Sequence, residues 1–237
     1  MTAGRRALTV GVLAPVIVVL TAVAALAFWK TTGTGTGNAT AASTWTEDTG
    51  ASVTSVSPNN RGQNSAATTV TITGSGFTAG AGLDATFGAG TTTTNVTRVS
   101  ATSITASVAV ASGAATGTRN VTVTNGGAGG ATLTCTACFT VNAAPTVTAG
   151  SPTAATIPRN NTSGTQFTIS GTGFKSGFTA TTTDSNYVVI STSFVSATSI
   201  RVTVRNDYSN NGTHTANIVI TNPDGGTVST ATAPLRN

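Results

Sequence analysis

Two cysteines, one histidine and two glycine-rich turns are the features of this chain whose residue types and spacing could do chemistry. Cys135-Thr136-Ala137-Cys138 has the spacing of a redox dithiol or of half a zinc site. A redox pair needs its first cysteine at a helix N-terminus, where the dipole lowers the thiol pKa. The surrounding "TLTCTACFTV" is threonine-rich and strand-like instead. Zinc would want two more ligands, and the single histidine, His214, lies 76 positions beyond Cys138. In a chain exported from the cytoplasm, a disulfide between Cys135 and Cys138 is the default. Residues three apart on an extended strand stand ~10 Å apart at ~3.3 Å per residue, beyond the ~7 Å that a disulfide spans. If the two cysteines pair, the chain must turn or bulge between them.

The glycines of "VTITGSGFTAG" (70–80) follow a β-rich run, as a phosphate-binding loop would. A dinucleotide loop, however, needs Gly-x-Gly-x-x-Gly, a helix behind it and an acid about 20 residues on. Gly74, Gly76 and Gly80 are spaced Gly-x-Gly-x-x-x-Gly, and more strand-like sequence follows. They read as a strand-end turn, with Phe77 as a core plug. His214 sits in "YSNNGTHTAN" without a nucleophile elbow and reads as an exposed loop residue. Glu47 and Asp48 are neighbours in a linker, and Asp84, Asp184, Asp207 and Asp224 are isolated; Asp224 lies in "NPDGG", where Asp suits a turn. One carboxylate at Asp184 is thin support for calcium, which gathers several oxygens. The expectation is no catalytic residue, no metal, no cofactor and no enzyme. Surface contacts remain. Tyr187, beside Asn186, and Tyr208, close in sequence to Asn210 and Asn211, combine aromatic rings with amides, which suits glycan stacking or protein contact. Packing inside the fold is the alternative for these tyrosines, as for Phe178 and Phe194.

The elements that must position these residues are strands. Charged residues make up 7% of the chain and aromatics 5%, with 27 glycines and abundant threonine. That is the reverse of the charge-rich, apolar-poor pattern of disorder. Thr and Val favour pleated, half-buried strands and Gly marks turns. Val70 and Ile72, Val121 and Val123, and Ile200, Val202 and Val204 each alternate with polar or charged residues, the period of a strand with one face on a core. The net charge of +5 is not a nucleic-acid signal: Arg5, Arg6 and Lys30 flank the N-terminal apolar run and the other eight bases are scattered.

Arg5 and Arg6 precede an uncharged run from Ala7 to Trp29 in which Ala25-Leu26-Ala27 fits signal-peptidase cleavage between Ala27 and Phe28. The run is also long enough to span a bilayer. Residues 1–27 are therefore a cleaved signal peptide or a retained membrane anchor. Both place the rest outside the cytoplasm, secreted or on the cell surface, with membrane contact only through that N-terminal helix. A Gly/Thr-rich linker follows at 28–50.

Beyond it the chain is written twice. "VTITGSGF" at 70–77 returns as "FTISGTGF" at 167–174, "VSATSI" at 99–104 returns unchanged at 195–200, and "VTVTN" at 121–125 is echoed by "VITN" ending at Asn222. Matched blocks in one order at a near-constant offset of 96–97 mean a duplicated unit of roughly 90 residues. Short strands broken by turns at close intervals predict a two-sheet sandwich in each copy. The expected fold is all-β: two tandem immunoglobulin-like β-sandwiches, 51–142 and 143–237, after the N-terminal helix, joined by the short "NAAP" and set end to end with restricted swing.

The motifs "SVSP", "VTITGSGF", "VSATSITASV" and "RNVTVTN" resemble the IPT/TIG immunoglobulin-like family over about 51–142 and again over 145–226. After Gly226 the likeness fades, since "STATAPLRN" lacks the apolar closing strand of the first copy. The start of the chain resembles secreted Gram-positive surface proteins. The resemblance implies a spacer, stalk, filament or coat subunit, or an adhesive module, whose partners are other surface proteins or further copies of itself. A glycan-binding module is the alternative. Asn-x-Thr/Ser triplets at Asn38, Asn95, Asn120, Asn160, Asn161 and Asn211 matter only in a glycosylating host.

Overall fold

The computed structural model describes residues 50–237 apart from 128–129, 210–211, 231–233 and 237. The expected signal or anchor with its Ala27–Phe28 junction, nearly all of the 28–50 linker, and Asn210 and Asn211 lie outside the described residues. Among the described residues every regular element is a strand.

The first eight are β1 (Ser52–Ser57), β2 (Asn60–Gly62), β3 (Ser65–Ser75), β4 (Asp84–Thr86), β5 (Thr91–Ser100), β6 (Ser103–Val110), β7 (Gly117–Thr124) and β8 (Thr132–Asn142). They form two four-stranded sheets, ordered β1-β3-β6-β5 and β2-β8-β7-β4. The chain then repeats the plan with β9 (Thr146–Val147), β10 (Ala155–Thr156), β11 (Asn161–Thr172), β12 (Thr179–Thr182), β13 (Tyr187–Ser196), β14 (Ser199–Asn206), β15 (Thr215–Ala216), β16 (Ile218–Thr221), β17 (Thr227–Ser229) and β18 (Leu235–Arg236). Here β9-β11-β14-β13 matches the first sheet strand for strand, while the opposing sheet is split into β12-β16-β17 and β10-β18-β15. The split falls where β15 gives way to β16 and β17 to β18.

Alternation decides the packing. In β6 and β14 every second residue is buried: Ile104, Ala106, Val108 and Val110 in one, Ile200, Val202 and Val204 in the other. Two separate buried clusters result, one drawn from Val53 to Val141 and one from Ile157 to Leu235. Phe87 and Phe139 meet edge to face at 5.0 Å within the first. The segment after Gly226 does close the second cluster: β17 pairs with β16, β18 pairs with β10 and β15, and Leu235 is fully buried. One isolated apolar residue does the work of the first copy's apolar run, which is why its pattern was invisible as a strand.

The "GSGF" turn is built alike in both copies. Gly76 and Gly173 hold φ of 65° and 71°, in the left-handed region that glycine enters without penalty. A Cβ on Gly74 would stand 2.0 Å from the Ser52 carbonyl oxygen, and one on Gly171 1.9 Å from that of Thr146. Only glycine lets the first strand pass so close. Phe77 and Phe174 are buried beside them. The side-chain amide of Asn125 donates to the Gly76 carbonyl (2.9 Å) and its oxygen accepts from Thr78 N–H (3.2 Å). Asn222 repeats both bonds with Gly173 (2.8 Å) and Lys175 (3.1 Å). These glycines form the same strand-end turn in both copies.

Candidate functional site

Cys135 and Cys138 are paired in β8 with their Cα atoms 5.7 Å apart. The strand kinks between them: β8 has two more residues than β7 over this stretch, Ala137 has φ 56°, and its N–H donates to Asn120 Oδ1 at 3.0 Å. The bridge pins a bulge and closes no long loop.

Tyr187, expected as a ligand contact, is a core residue with 1% of its surface exposed. It lies first on β13, where it is the strand's one buried residue, and its hydroxyl donates to the His214 carbonyl at 3.0 Å. Burial pushes its phenol pKa up to about 12, with Tyr208 and Asp184 acting in the same direction. Tyr208 is half-buried: its ring stacks on His214 with centroids 3.6 Å apart and meets Tyr187 edge to face at 5.6 Å. Its hydroxyl donates to Asp184 Oδ2. That bond holds the Asp184 carboxyl below the usual range and raises the Tyr208 phenol. The structure therefore brings Asp184, Asn186, Tyr187, Tyr208 and His214 together, but as a packed brace tying the 183–187 turn to the loop before β15 rather than an open aromatic platform. Tyr187 is the one buried residue of β13, whose other residues are half-buried or exposed, so no period of two along this strand marks it.

A different constellation joins the two clusters, and the sequence reading missed it. Arg61, on β2, is 7% exposed; its Nη2 donates to the Ala66 carbonyl at 2.7 Å, while its Nε is buried without a hydrogen-bond partner. The guanidinium lies against Gly225, where a Cβ would stand 2.7 Å from Nη2. Asp224 is buried too. Its Oδ2 accepts from Asn142 Nδ2 at 2.8 Å and from Lys175 Nζ, and its Oδ1 accepts from Gly226 N–H at 3.1 Å. Burial alone would raise the Asp224 pKa, but these donors more than offset it and hold the carboxyl below the usual range. Burial lowers the Arg61 pKa, and the Asp224 charge opposes that.

Backbone completes the joint. Gly62 N–H donates to the Asp224 carbonyl at 2.9 Å, and a Cβ on Gly62 would sit 2.4 Å from Gly226 Cα. Asn64 donates to Thr227 Oγ1 (2.9 Å) and receives the Thr227 hydroxyl on its own carbonyl (2.6 Å). Gln63 bridges the linker, donating to the Ala114 carbonyl (2.5 Å) and accepting from Ala144 N–H (3.2 Å). One signal was available. Lys175 and Asp224 stand where the first copy has Thr78 and Gly127, so the copies differ in charge at two turns that meet in space.

The edges of the paired sheets also differ. Arg98 on edge strand β5 donates Nε–H to the Phe77 carbonyl at 2.7 Å. The matching position on edge strand β13, opposite Ile200 as Arg98 is opposite Ile104, holds Phe194, 39% exposed beside exposed Val195 and Ile190.

Residues 51–139 match the family model of the IPT/TIG domain. No curated protein matches the chain. Among solved structures, the extracellular region of plexin A4 is 15% identical over 80% of this chain and 19% of that one, with a TM-score of 0.41. InvD of Yersinia pseudotuberculosis is 18% identical over 76% of this chain and 56% of that one, with a TM-score of 0.27. Domains 5–6 of the S-layer protein SbsC are 15% identical over 76% and 97%, with a TM-score of 0.23.

Proposed function

We propose that this chain is a non-catalytic structural or adhesive protein of the cell exterior, built from two immunoglobulin-like modules, 51–142 and 143–237. The joint made by Arg61, Gly62, Asn142, Lys175 and Asp224 carries the reading. A spacer or adhesive subunit must hold its modules in a fixed relation, and a buried, hydrogen-bonded charge cluster with a glycine–glycine contact does so where a free linker would not. The Tyr187–Tyr208–His214 stack supports a bracing role for the groups that could otherwise have done chemistry. Self-association is favoured at β13, an edge strand with no charge in ten residues and exposed Ile190, Phe194 and Val195. Such an edge is a template for another strand, while Arg98 guards β5.

The test is to express the native gene in an exporting host, then fractionate the cells and sequence the product's N-terminus. A product beginning at Phe28 outside the cell is a secreted subunit, and an intact Met1 in the membrane fraction is an anchored stalk. A soluble cytoplasmic product with Met1 in place would sink the proposal. Electron microscopy of the purified product then reads out filaments or paired particles.

A further inference from the structure

At the joint the structure opens a cleft of about 320 Å³ lined by Pro58, Asn60, Arg61, Lys175, Pro223 and Asp224. We infer that this cleft is a binding site for an acidic sugar, a uronate whose carboxylate is held by Lys175 over the Arg61 guanidinium. Charge comes first. One carboxylate, Asp224, pairs with Lys175 and faces Arg61 through space, and it already accepts from Lys175, Asn142 and Gly226 N–H. Arg61 spends only Nη2 on the Ala66 carbonyl, and its buried Nε has no partner. A second anion at the mouth therefore meets uncompensated positive charge in a partly dry setting, where charge-assisted bonds are strong. Lys175 is the exposed element: its side chain is 43% exposed, so its ammonium can serve a ligand while remaining beside Asp224.

Shape and surroundings add to charge. Exposed Pro58 and Pro223 give the mouth rigid apolar walls that suit the C–H faces of a pyranose, and the Asn60 amide stands at the rim for a hydroxyl. A second cleft, of about 240 Å³, lies beside Pro152, the counterpart of Pro58, and its lining of Pro152, Thr153, Ala155, Gln166, Phe167 and Thr168 holds no charge. The charged cleft is thus a product of joining the copies and not of the repeated fold. Residues 50–237 carry eight Arg and Lys against four Asp, an excess of four positive charges that draws acidic ligands in. The site goes beyond the structural reading and lies apart from the Tyr208 region.

The test uses the full chain and galacturonate as probe, with amide chemical shifts as readout. Saturable shifts at Asn60, Lys175 and Asp224 are expected, weakened by added salt and absent with galactose. Lys175→Glu should weaken binding about tenfold or more, because it replaces the cation at the mouth with a like charge. Asn60→Asp adds a negative charge at the rim and replaces neither member of the ion pair, and its oxygens can still accept from Asn142, so it should weaken binding even if Lys175→Glu disturbs the joint. Arg236→Gln, away from the cleft lining, should bind as the parent does. Three outcomes overturn the assignment: equal shifts with galactose, no saturable shifts with galacturonate, or unchanged binding in both folded variants. A peptide with a free C-terminal carboxylate that binds more tightly than galacturonate would overturn the sugar assignment in favour of a protein ligand.

Discussion

Asp224→Ala is the perturbation that most directly probes the joint. The carboxylate accepts three hydrogen bonds, from Asn142, Lys175 and Gly226 N–H, and faces the buried Arg61. Lys175 can rehydrate when its partner goes, since nearly half its side chain is exposed, so its share is small. Arg61 cannot: it is 7% exposed and its Nε already lacks a partner. Breaking a buried pair so that one charge is left uncompensated costs about 3–5 kcal/mol. We expect the lower end, about 3 kcal/mol, because Asp224 acts on Arg61 through space and not in a direct ion pair, and the Arg61 Nη2 bond to Ala66 survives. In a protein of this size that lowers Tm by roughly 6–12 °C. Calorimetry of the full chain is the assay, and loss of the joint should also let the two buried clusters melt as separate transitions. Acid should imitate the substitution. The folded Asp224 pKa is depressed, so its contribution is present above the unfolded carboxylate range and is lost as pH falls through the lower folded value. A Tm within about 2 °C of the parent, a loss below ~1 kcal/mol, would refute the claim that this carboxylate compensates Arg61.

Tyr187 titrates in the opposite sense. Its folded pKa is raised to about 12 from 10.0, so the stability it contributes is complete below pH 10 and is lost as pH rises toward 12. The shift corresponds to about 2–3 kcal/mol, visible as alkaline unfolding followed by circular dichroism. Tyr187→Phe should remove that dependence while costing about 1 kcal/mol at neutral pH for the lost bond to His214. Gly171→Ala forces a Cβ to 1.9 Å from the Thr146 carbonyl and 2.7 Å from the Phe174 ring, so β9 should detach at a cost of about 1–3 kcal/mol, read as faster amide exchange at Thr148, whose N–H is bonded to Ser170. Replacing both cysteines with alanine should cost only about 2 kcal/mol, because the bridge closes so short a loop; chemical denaturation measures it. Phe194→Lys should abolish any dimer or filament seen by analytical ultracentrifugation while leaving Tm nearly unchanged, since the side chain stands at an open edge.

What the sequence determined by itself was local and repeated. Strand alternation follows from a period of two, the glycine turns follow from φ values and contacts that only glycine permits, and Phe77 and Phe174 as core plugs follow from their place beside those turns. The duplication could be read because each motif is contiguous. Tertiary structure decided what depends on residues far apart in the chain. Tyr187 beside Asn186 allows either a ligand contact or packing, and its burial at the start of β13, with its hydroxyl bonded to the His214 carbonyl, makes it a packed residue. Leu235 seemed too isolated to close a sheet, but β10 and β15 flank it from both sides. Arg61 read as one scattered base and Asp224 as a turn residue, 163 positions apart. Only when the loops beside the two buried clusters meet do these residues share a dry space, and there a charge that would be trivial in water requires a partner.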